Sequence, residues 1–474
     1  MDIFSRQFTQ ADVDQFAHLS GDLNPLHTDP VVARRLLFGG TVCHGVALTL
    51  WVVDCLATRI SRSFRFRSLT ATFRSPVMVG DKVKLELICA DDGQVKGAIF
   101  GPRGLCASLS LQWESDTTGQ VMELPGPGAL ECRSRTFSEL SSASGAVPVS
   151  VSLDKLCAFS PAAARWGHIA QLGVLLATTR LVGMECPGLH SVYHSLKLQY
   201  FSTSDADTLL NYRVTNANER YARLTLSIEG CGCRGELLTS VRPAPYEQPA
   251  FAAIRKQVAP DAFRDERALV IGGSRGLGEL AAKILLAGGA AVRLSFYHGK
   301  ADAMRLNNEV RTEEPEADLQ VFPLDVTDEQ AVVVAKVADF RPTQLYFFAS
   351  PKILLDGGQT FDTARYDLYF RFYVTSMCRL IRNVSMVAAT PFRVFLPSTS
   401  FIDAPPAGAA EYIAAKVAAE EALLDLAKEV GVYPVIHRLP PLASDQTASL
   451  GAGAQADGFE AVAGAVYAMR NMVV

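Results

Sequence analysis

Two kinds of hydrophobic spacing divide the chain. In its first half, long apolar runs stand beside strands that alternate. Residues 44–60 (HGVALTLWVVDCLATRI) are apolar nearly all round, which predicts a helix buried on every side. Strands follow over 66–74 and 80–90, the second alternating after the Gly80-Asp81 turn. The pattern then returns. Residues 168–182 (HIAQLGVLLATTRLV) predict a second buried helix ending in Thr-Arg-apolar. Ser195-Leu-Lys-Leu-Gln-Tyr-Phe-Ser matches Ser68-Leu-Thr-Ala-Thr-Phe-Arg-Ser in spacing. Ala222-Arg-Leu-Thr-Leu-Ser-Ile is set against Cys106-Ala-Ser-Leu-Ser-Leu. One apolar helix with long antiparallel strands, twice over, predicts a duplicated α+β unit in which sheet wraps helix.

From residue 263 the spacing changes. Continuously apolar runs at 267–272, 291–296, 319–323, 343–349 and 393–397 alternate with helical segments at 277–288, 299–311, 328–337, 365–388 and 409–430. Uninterrupted apolar strands between helices predict a parallel sheet covered on both faces. Two stretches rich in residues that break regular structure read as linkers, 115–150 with Ser, Gly and Pro, and 243–262 with four prolines. The expected units are therefore 1–114, 151–242 and 263–474.

Composition narrows the possibilities. The chain has 474 residues, of which 49% are hydrophobic and 20% charged, enough to build large cores. Its net charge of −4 argues against a sequence-independent grip on nucleic acid. The ten cysteines include no Cys-x-x-Cys pair, so they read as reduced thiols and no metal site is expected. The opening Met1-Asp-Ile-Phe-Ser-Arg has no basic segment leading into an apolar core, and no apolar run reaches the ~20 residues of a membrane helix. A soluble, cytoplasmic chain with no membrane partner is the expectation.

The first candidate site lies in Phe16-Ala-His-Leu-Ser-Gly-Asp-Leu-Asn-Pro-Leu-His-Thr-Asp, a polar loop after a helical start at 10–18. Pro25 disfavours helix at Asn24, so the loop turns and gathers Asp22, Asn24 and His27. A carboxylate beside an imidazole is a competent acid/base pair near neutral pH; a helix-capping Asp and a surface His is the plainer alternative. Ser20-Gly21-Asp22-Leu23-Asn24-Pro25-Leu26-His27, followed by Phe38-Gly39-Gly40-Thr-Val-Cys-His44-Gly45, resembles the hydratase motif of the MaoC-like, (R)-specific enoyl hydratase family of hotdog proteins. The likeness covers residues 5–114. It implies that Asp22 and His27 activate water for addition to a trans-2-enoyl thioester or its reversal, and that Asn24 orients them. It also implies that Gly45 offers a backbone N–H to the thioester carbonyl, a role that suits a helix N-terminus. His44 is read as structural. The second unit has Leu153-Asp-Lys-Leu-Cys-Ala-Phe where the motif would stand, and resembles the non-catalytic half of a double-hotdog hydratase, shaping an acyl tunnel. His190 and His194, with no carboxylate at motif spacing, are read as structural. The strand Arg62-Ser-Phe-Arg65-Phe-Arg67 is either a half-buried strand with a solvated face or a docking patch for coenzyme A phosphates or an acidic carrier.

The second candidate site begins where the strand Arg267–Ile271 runs into Gly272-Gly-Ser274-Arg275-Gly276-Leu277-Gly278 and a helix. Glycines let backbone approach a pyrophosphate, and a helix start supplies N–H donors. The next strand ends Leu294-Ser-Phe-Tyr-His298 with no acid to bond a ribose 2′-hydroxyl, while Arg275 is placed to meet a 2′-phosphate, which favours NADP(H) over NAD(H). Tyr412 and Lys416, four apart, share a helix face, and the ammonium is expected to lower the phenol pKa. Together with Leu324-Asp325-Val326-Thr, these residues resemble the short-chain dehydrogenase/reductase family over 263–474, a Rossmann-type doubly wound parallel sheet. The resemblance gives Asp325 and Val326 the adenine contact, Ala349 and His298 places along the cofactor, and Lys416 the nicotinamide ribose. The hydroxyl partner of Tyr412 is Thr399, 13 residues before it, with Ser398 and Ser400 as alternatives. Three departures stand out: Phe347-Phe348-Ala349-Ser350 replaces Asn-Asn-Ala-Gly, Tyr373 stands where the catalytic asparagine is usual, and Pro440-Pro441-Leu442 replaces Pro-Gly.

The resulting expectation is a bifunctional enzyme for acyl thioesters of coenzyme A or an acyl carrier protein, active as a homodimer. It would reduce a 3-ketoacyl group with NADPH and interconvert the (R)-3-hydroxyacyl and trans-2-enoyl forms. The alternatives are a dehydratase whose reductase-like domain binds nucleotide with little chemistry, and a scaffold that docks a carrier protein.

Overall fold

The computed structural model describes residues 2–89, 93–116, 128, 130–202, 208–329, 333–353, 361–444 and 457–472. They fall into two compact units, Met1–Ala244 and Pro245–Val474.

The first unit is built on one ten-stranded sheet. In chain order its strands are β1 (Asp2–Gln7), β2 (Phe64–Phe73), β3 (Lys82–Cys89), β4 (Gln94–Gly101), β5 (Gly104–Ser115), β6 (Ser144–Pro148), β7 (Ser191–Tyr200), β8 (Leu209–Asn218), β9 (Arg223–Gly230) and β10 (Cys233–Val241). In space the order is β1-β3-β4-β5-β2-β7-β10-β9-β8-β6, antiparallel throughout. Read outward from the central β2/β7 pair, the second five strands repeat the arrangement of the first five. β10 is thus the counterpart of β5, and β9 that of β4. This corrects the alignment of Ala222–Ile228 with Cys106–Leu111: alternation alone cannot tell neighbouring strands of a meander apart. The helices Gly45–Ile60 and Ile169–Arg180 are buried along most of their length, as uniform hydrophobicity requires. Both belong to one continuous core with the inward residues of all ten strands. The segment read as a first linker carries the helix Phe137–Leu140 and β6, and its residues 117–127 and 129 lie outside those described.

The second unit is a six-stranded parallel sheet: β11 (Arg267–Ile271), β12 (Ala291–Phe296), β13 (Leu319–Pro323), β14 (Gln344–Phe347), β15 (Arg393–Thr399) and β16 (Tyr433–Leu439). The order β13-β12-β11-β14-β15-β16 reverses direction beside β11, the place where open α/β sheets make their ligand crevice. Separate apolar clusters on the two faces account for the continuous hydrophobicity of the strands. The segment read as a second linker packs here too: Phe251 and Ile254 of the short helix Phe251–Arg255 are buried in this core. The predicted 365–388 helix is interrupted by a π-turn at Arg371–Ser376. A terminal helix, Gly458–Asn471, completes the layer.

Candidate active sites

The local sequence explains how the first loop holds its shape. The helix Gln10–Ser20 ends at Gly21, whose φ of 76° is the left-handed cap conformation that glycine adopts without strain. Asn24 then caps the short helix Pro25–Thr28, its Oδ1 accepting from Leu26 N at 3.0 Å, with Pro25 at the first helical position. Asp22, His27 and Gly45 are thereby brought to one cavity of about 270 Å³.

Asp22 is buried and tied on both oxygens. Oδ2 accepts from Thr179 Oγ1 at 2.7 Å and Oδ1 from Asn24 N at 3.3 Å. His27 Nδ1 lies 2.7 Å from Val42 O. A carbonyl only accepts, so Nδ1 carries the hydrogen and Nε2 is the basic nitrogen of the neutral ring. Burial raises the Asp22 pKa against the opposing charge of His27 and the bonds from Thr179 and Asn24. Burial lowers the His27 pKa, with Asp22 pulling the other way. The two proton affinities converge, which favours passing a proton between substrate and pair. Gly45 opens its helix without a side-chain cap, leaving first-turn N–H groups unpaired by the helix itself. A Cβ on Gly45 would meet the Phe73 ring at 2.8 Å, so a glycine is needed for that ring to lie against the helix start.

Asn24 ties the loop both to Asp22 and to the second repeat. Its side-chain amide donates to the backbone carbonyls of Gly183 (2.9 Å), Gly188 (3.2 Å) and Leu189 (3.3 Å), and its backbone N–H, not its side chain, meets Asp22. His44 stacks on His27 with centroids 3.7 Å apart, and its Nε2 lies 3.1 Å from Asp22 O. Among the described residues, Asp22, His27 and His44 form the one cluster dense enough to hold a metal ion. The near-parallel stack opposes chelation, because in-plane lone pairs of stacked rings run side by side and do not converge on one ion.

At the second site, Gly272 (φ 76°) and Gly276 (φ 61°) sit in left-handed conformations ahead of the helix Gly276–Ala287. A Cβ on Gly278 would stand 2.5 Å from Gly272 O, and one on Gly272 2.8 Å from Ala349 N, whereas beside Gly276 the space is open. Close packing behind and open space in front of a helix N-terminus make a cradle that fits a dinucleotide pyrophosphate. Ser274 is buried in this loop and Leu277 packs on the core. Asp325 accepts from Thr327 N and Oγ1 at 2.8 and 2.7 Å and lies beside Tyr297, whose ring meets His298 at 3.7 Å. The Val326 side chain is in the core, and its backbone carbonyl accepts from Arg379 Nη2 at 2.6 Å.

Tyr412 lies beside Thr399, at the end of β15, whose hydroxyl acts against the effect of burial on the phenol. Ser398 is directed elsewhere, donating to Glu420, which also forms a two-point ion pair with Arg438. The expected lowering of the Tyr412 pKa does not occur. Burial pushes Tyr412 up and Lys416 down to about 7. Lys416 Nζ donates to Pro397 O at 2.7 Å, lies 4.1 Å from the Tyr373 ring centroid and is 5.9 Å from that of Tyr412. Tyr373 thus occupies the space over the ammonium, with its hydroxyl 2.6 Å from Ser350 Oγ.

The profile of the MaoC-like domain matches residues 3–105, which contain Asp22, His27 and Gly45. Over 91 residues the chain is 32% identical to a 3-hydroxybutyryl-CoA dehydratase of Methylorubrum extorquens, covering 19% of this chain and 58% of that protein. Over 84 residues it is 34% identical to an (R)-specific enoyl-CoA hydratase of Aeromonas caviae, covering 18% and 63%. Over 79 residues it is 32% identical to a mitochondrial 3-hydroxyacyl-[acyl-carrier-protein] dehydratase of Arabidopsis thaliana, covering 17% and 47%. The chain therefore spans less than two thirds of the length of each of these relatives. The N-terminal unit thus contains a MaoC-like domain over residues 3–105. Solved structures similar to this chain include a short-chain dehydrogenase of Burkholderia cenocepacia in complex with NADP (20% identity, 44% of this chain and 91% of that one, TM-score 0.39). Another, from Shigella flexneri, is complexed with NADP (16% identity, 44% and 93%, TM-score 0.41).

The site of the MaoC-like domain is completed by residues beyond its matched span, which sequence reasoning missed. Thr179 and Gly183 come from the second repeat, Gly183 on a π-turn at Leu181–Glu185. A Cβ on Gly183 would fall 2.1 Å from Asp22 Oδ1. Arg180 is buried, its charge acts on Asp22, and it donates to Pro148 O. Burial lowers its pKa to about 10. One signal was available: an arginine ending an otherwise apolar helix, where periodicity calls for another apolar residue. The docking reading of Arg62–Arg67 weakens, since Arg65 and Arg67 both pair with Glu114 and Arg62 lies over Trp113. Among the described residues, no helix is long and apolar enough to cross a membrane.

Proposed function

We propose that the chain is a bifunctional acyl-thioester enzyme: an (R)-specific enoyl hydratase/dehydratase on a double hotdog, followed by an NADP-dependent short-chain reductase. The observation that carries the reading is the buried Asp22 and half-buried His27 sharing a cavity with the uncapped helix start at Gly45. In hydration, His27 Nε2 accepts a proton as water oxygen bonds to C3 of the enoyl thioester. The C2=C3 electron pair moves to C2, and charge gathers on the thioester oxygen beside the Gly45 N–H. The acid/base pair then returns a proton to C2, so that one water is added; dehydration is the reverse.

NADPH fits the cradle and, when bound, supplies a hydride for a 3-ketoacyl carbonyl. The chain's own residues would hold it: Gly272 and Ser274–Gly278 around the pyrophosphate, Arg275 at the 2′-phosphate, Asp325 and Val326 at the adenine, with His298 and Ala349 alongside and Lys416 at the ribose. Thr399 and Tyr412 would donate to the substrate carbonyl. A second reading, in which this domain binds nucleotide but turns over slowly, is favoured by Tyr373 over Lys416 and by the raised Tyr412 pKa. The test is enoyl absorbance with a trans-2-enoyl thioester and NADPH oxidation with a 3-ketoacyl thioester, each on coenzyme A and carrier-protein forms. Loss of the first in Asp22→Asn and of the second in Tyr412→Phe supports the full reading. Wild-type hydration without NADPH turnover supports the second, and neither activity overturns both.

A further inference from the structure

The wall that the second repeat contributes to the Asp22/His27 cavity is polar, which a plain hydrocarbon tunnel would not need. β7 carries a bulge there: Leu238 pairs with Ser195 and the next residue of β10, Thr239, pairs with Tyr193, leaving His194 as the extra residue. In a regular strand Tyr193 and His194 would face opposite sides. A bulge re-aims one of them, and here both line the cavity. His194 Nε2 lies 2.8 Å from Ser240 Oγ, and Ser240 also lines the cavity. Ser191, from the start of the same strand, is buried in the same wall. The Tyr193 hydroxyl is out of solvent and makes no hydrogen bond within the described residues. Thr178 lies beside it without reaching hydrogen-bond geometry, and gives its own hydrogen to Leu175 O. A buried hydroxyl with unused hydrogen-bonding capacity beside a cavity is a group awaiting a ligand.

Resting on the acyl-thioester reading above, we infer that Tyr193, with His194 and Ser240, forms a subsite for an uncharged oxygen function, a ketone or hydroxyl, on the acyl chain of a short substrate. The chemistry of the wall selects this class. Phenol, alcohol and imidazole supply neutral donors, and burial together with Arg223 lowers the His194 pKa, so the ring stays neutral. Among the described residues the one cationic side chain lining the cavity is Arg74 of the first repeat, which is exposed, and the wall that holds Tyr193 has no Lys or Arg to attract a carboxylate. The volume of about 270 Å³ suits a short chain. A site built to bond an oxygen discriminates against an analogue that lacks it, because its polar groups are then buried unpaired. The amide of the thioester's pantetheine arm is a second source of the same acceptor chemistry.

The test uses the full chain and saturated ligands that cannot be hydrated, hexanoyl-CoA and 5-oxohexanoyl-CoA, with dissociation constants read by calorimetry. The wild type is expected to bind the oxo ligand about tenfold more tightly, the worth of one hydrogen bond. Tyr193→Phe, which keeps the ring and its packing, is expected to remove that preference while leaving hexanoyl-CoA binding unchanged; Ser240→Ala serves as a second variant. Equal binding of both ligands by the wild type overturns the proposal. Equal weakening of both in Tyr193→Phe also overturns it, and assigns the hydroxyl to the pantetheine amide. Hydration of crotonyl-CoA on the same preparations reads the hydratase assignment by itself. Its absence beside a retained oxo preference would sink that assignment and leave the subsite standing.

Discussion

Asp22 is the residue on which most of the geometry converges, and its burial gives two opposed expectations for one substitution. Because its pKa is raised in the fold, the charged form is penalised there. That penalty is present above the folded pKa and absent below the unfolded value of 3.8, where the carboxyl is neutral in both states. Asp22→Asn should therefore raise the melting temperature at neutral pH, with the gain shrinking on acidification, while hydration falls at least about 100-fold through loss of the acid/base group. Thermal scans at several pH values and enoyl absorbance check the two halves separately. Gly183→Ala is the complementary case. Its methyl must displace the Asp22 carboxylate, since 2.1 Å is far inside contact distance. An ångström of misplacement is worth about 100-fold in rate. The expectation is a loss of kcat with the overall fold retained by circular dichroism. Thr179→Val removes the donor to Oδ2, raises the Asp22 pKa further and should move the acid limb of the hydration pH profile upward.

At the scale of elements, the sequence was legible where a period or a spacing had one physical cause. The buried helices at 44–60 and 168–182, the parallel strands and the Gly272–Gly278 loop all lie within a few residues of where hydrophobicity and glycine placement put them. The Asp22/Asn24/His27 loop was legible because proline and an Asx cap act locally. What escaped was non-local. The match of β10 with β5, the π-turns carrying Gly183 and Tyr373 and the bulge at His194 depend on which strand or helix packs opposite, and no window of sequence states that. The Tyr412/Lys416 pair fails for a similar reason. Spacing put them on one helix face, but burial decides the proton affinities, raising that of Tyr412 and lowering that of Lys416. With Lys416 at about 7, NADPH affinity should fall as pH rises from 6 to 8, where its ammonium is largely lost. A fluorescence titration at the two pH values checks this; a pH-independent affinity would remove Lys416 from the cofactor site. Gly278→Ala, whose methyl would press on Gly272 O, should abolish NADPH binding and leave hydration unchanged.

At the scale of the molecule, the ten-stranded sheet of the first unit and the two buried helices at 45–60 and 169–180 frame one proposed acid/base pair. The second repeat lacks the motif, but it supplies Thr179, Arg180 and Gly183 to Asp22, carbonyls to Asn24, and the polar wall of the cavity. It is therefore part of the proposed active site as well as of the fold. Chemically, reduction of a 3-ketoacyl thioester yields the 3-hydroxyacyl thioester that a dehydratase consumes, which makes the pairing of two units in one chain coherent. The most direct test supplies the full chain with a 3-ketoacyl thioester and NADPH and follows both absorbances in time. The account predicts NADPH oxidation followed by enoyl formation, with Asp22→Asn stopping only the second. No enoyl from the wild type, when (R)-3-hydroxyacyl thioester is supplied as well, would contradict it.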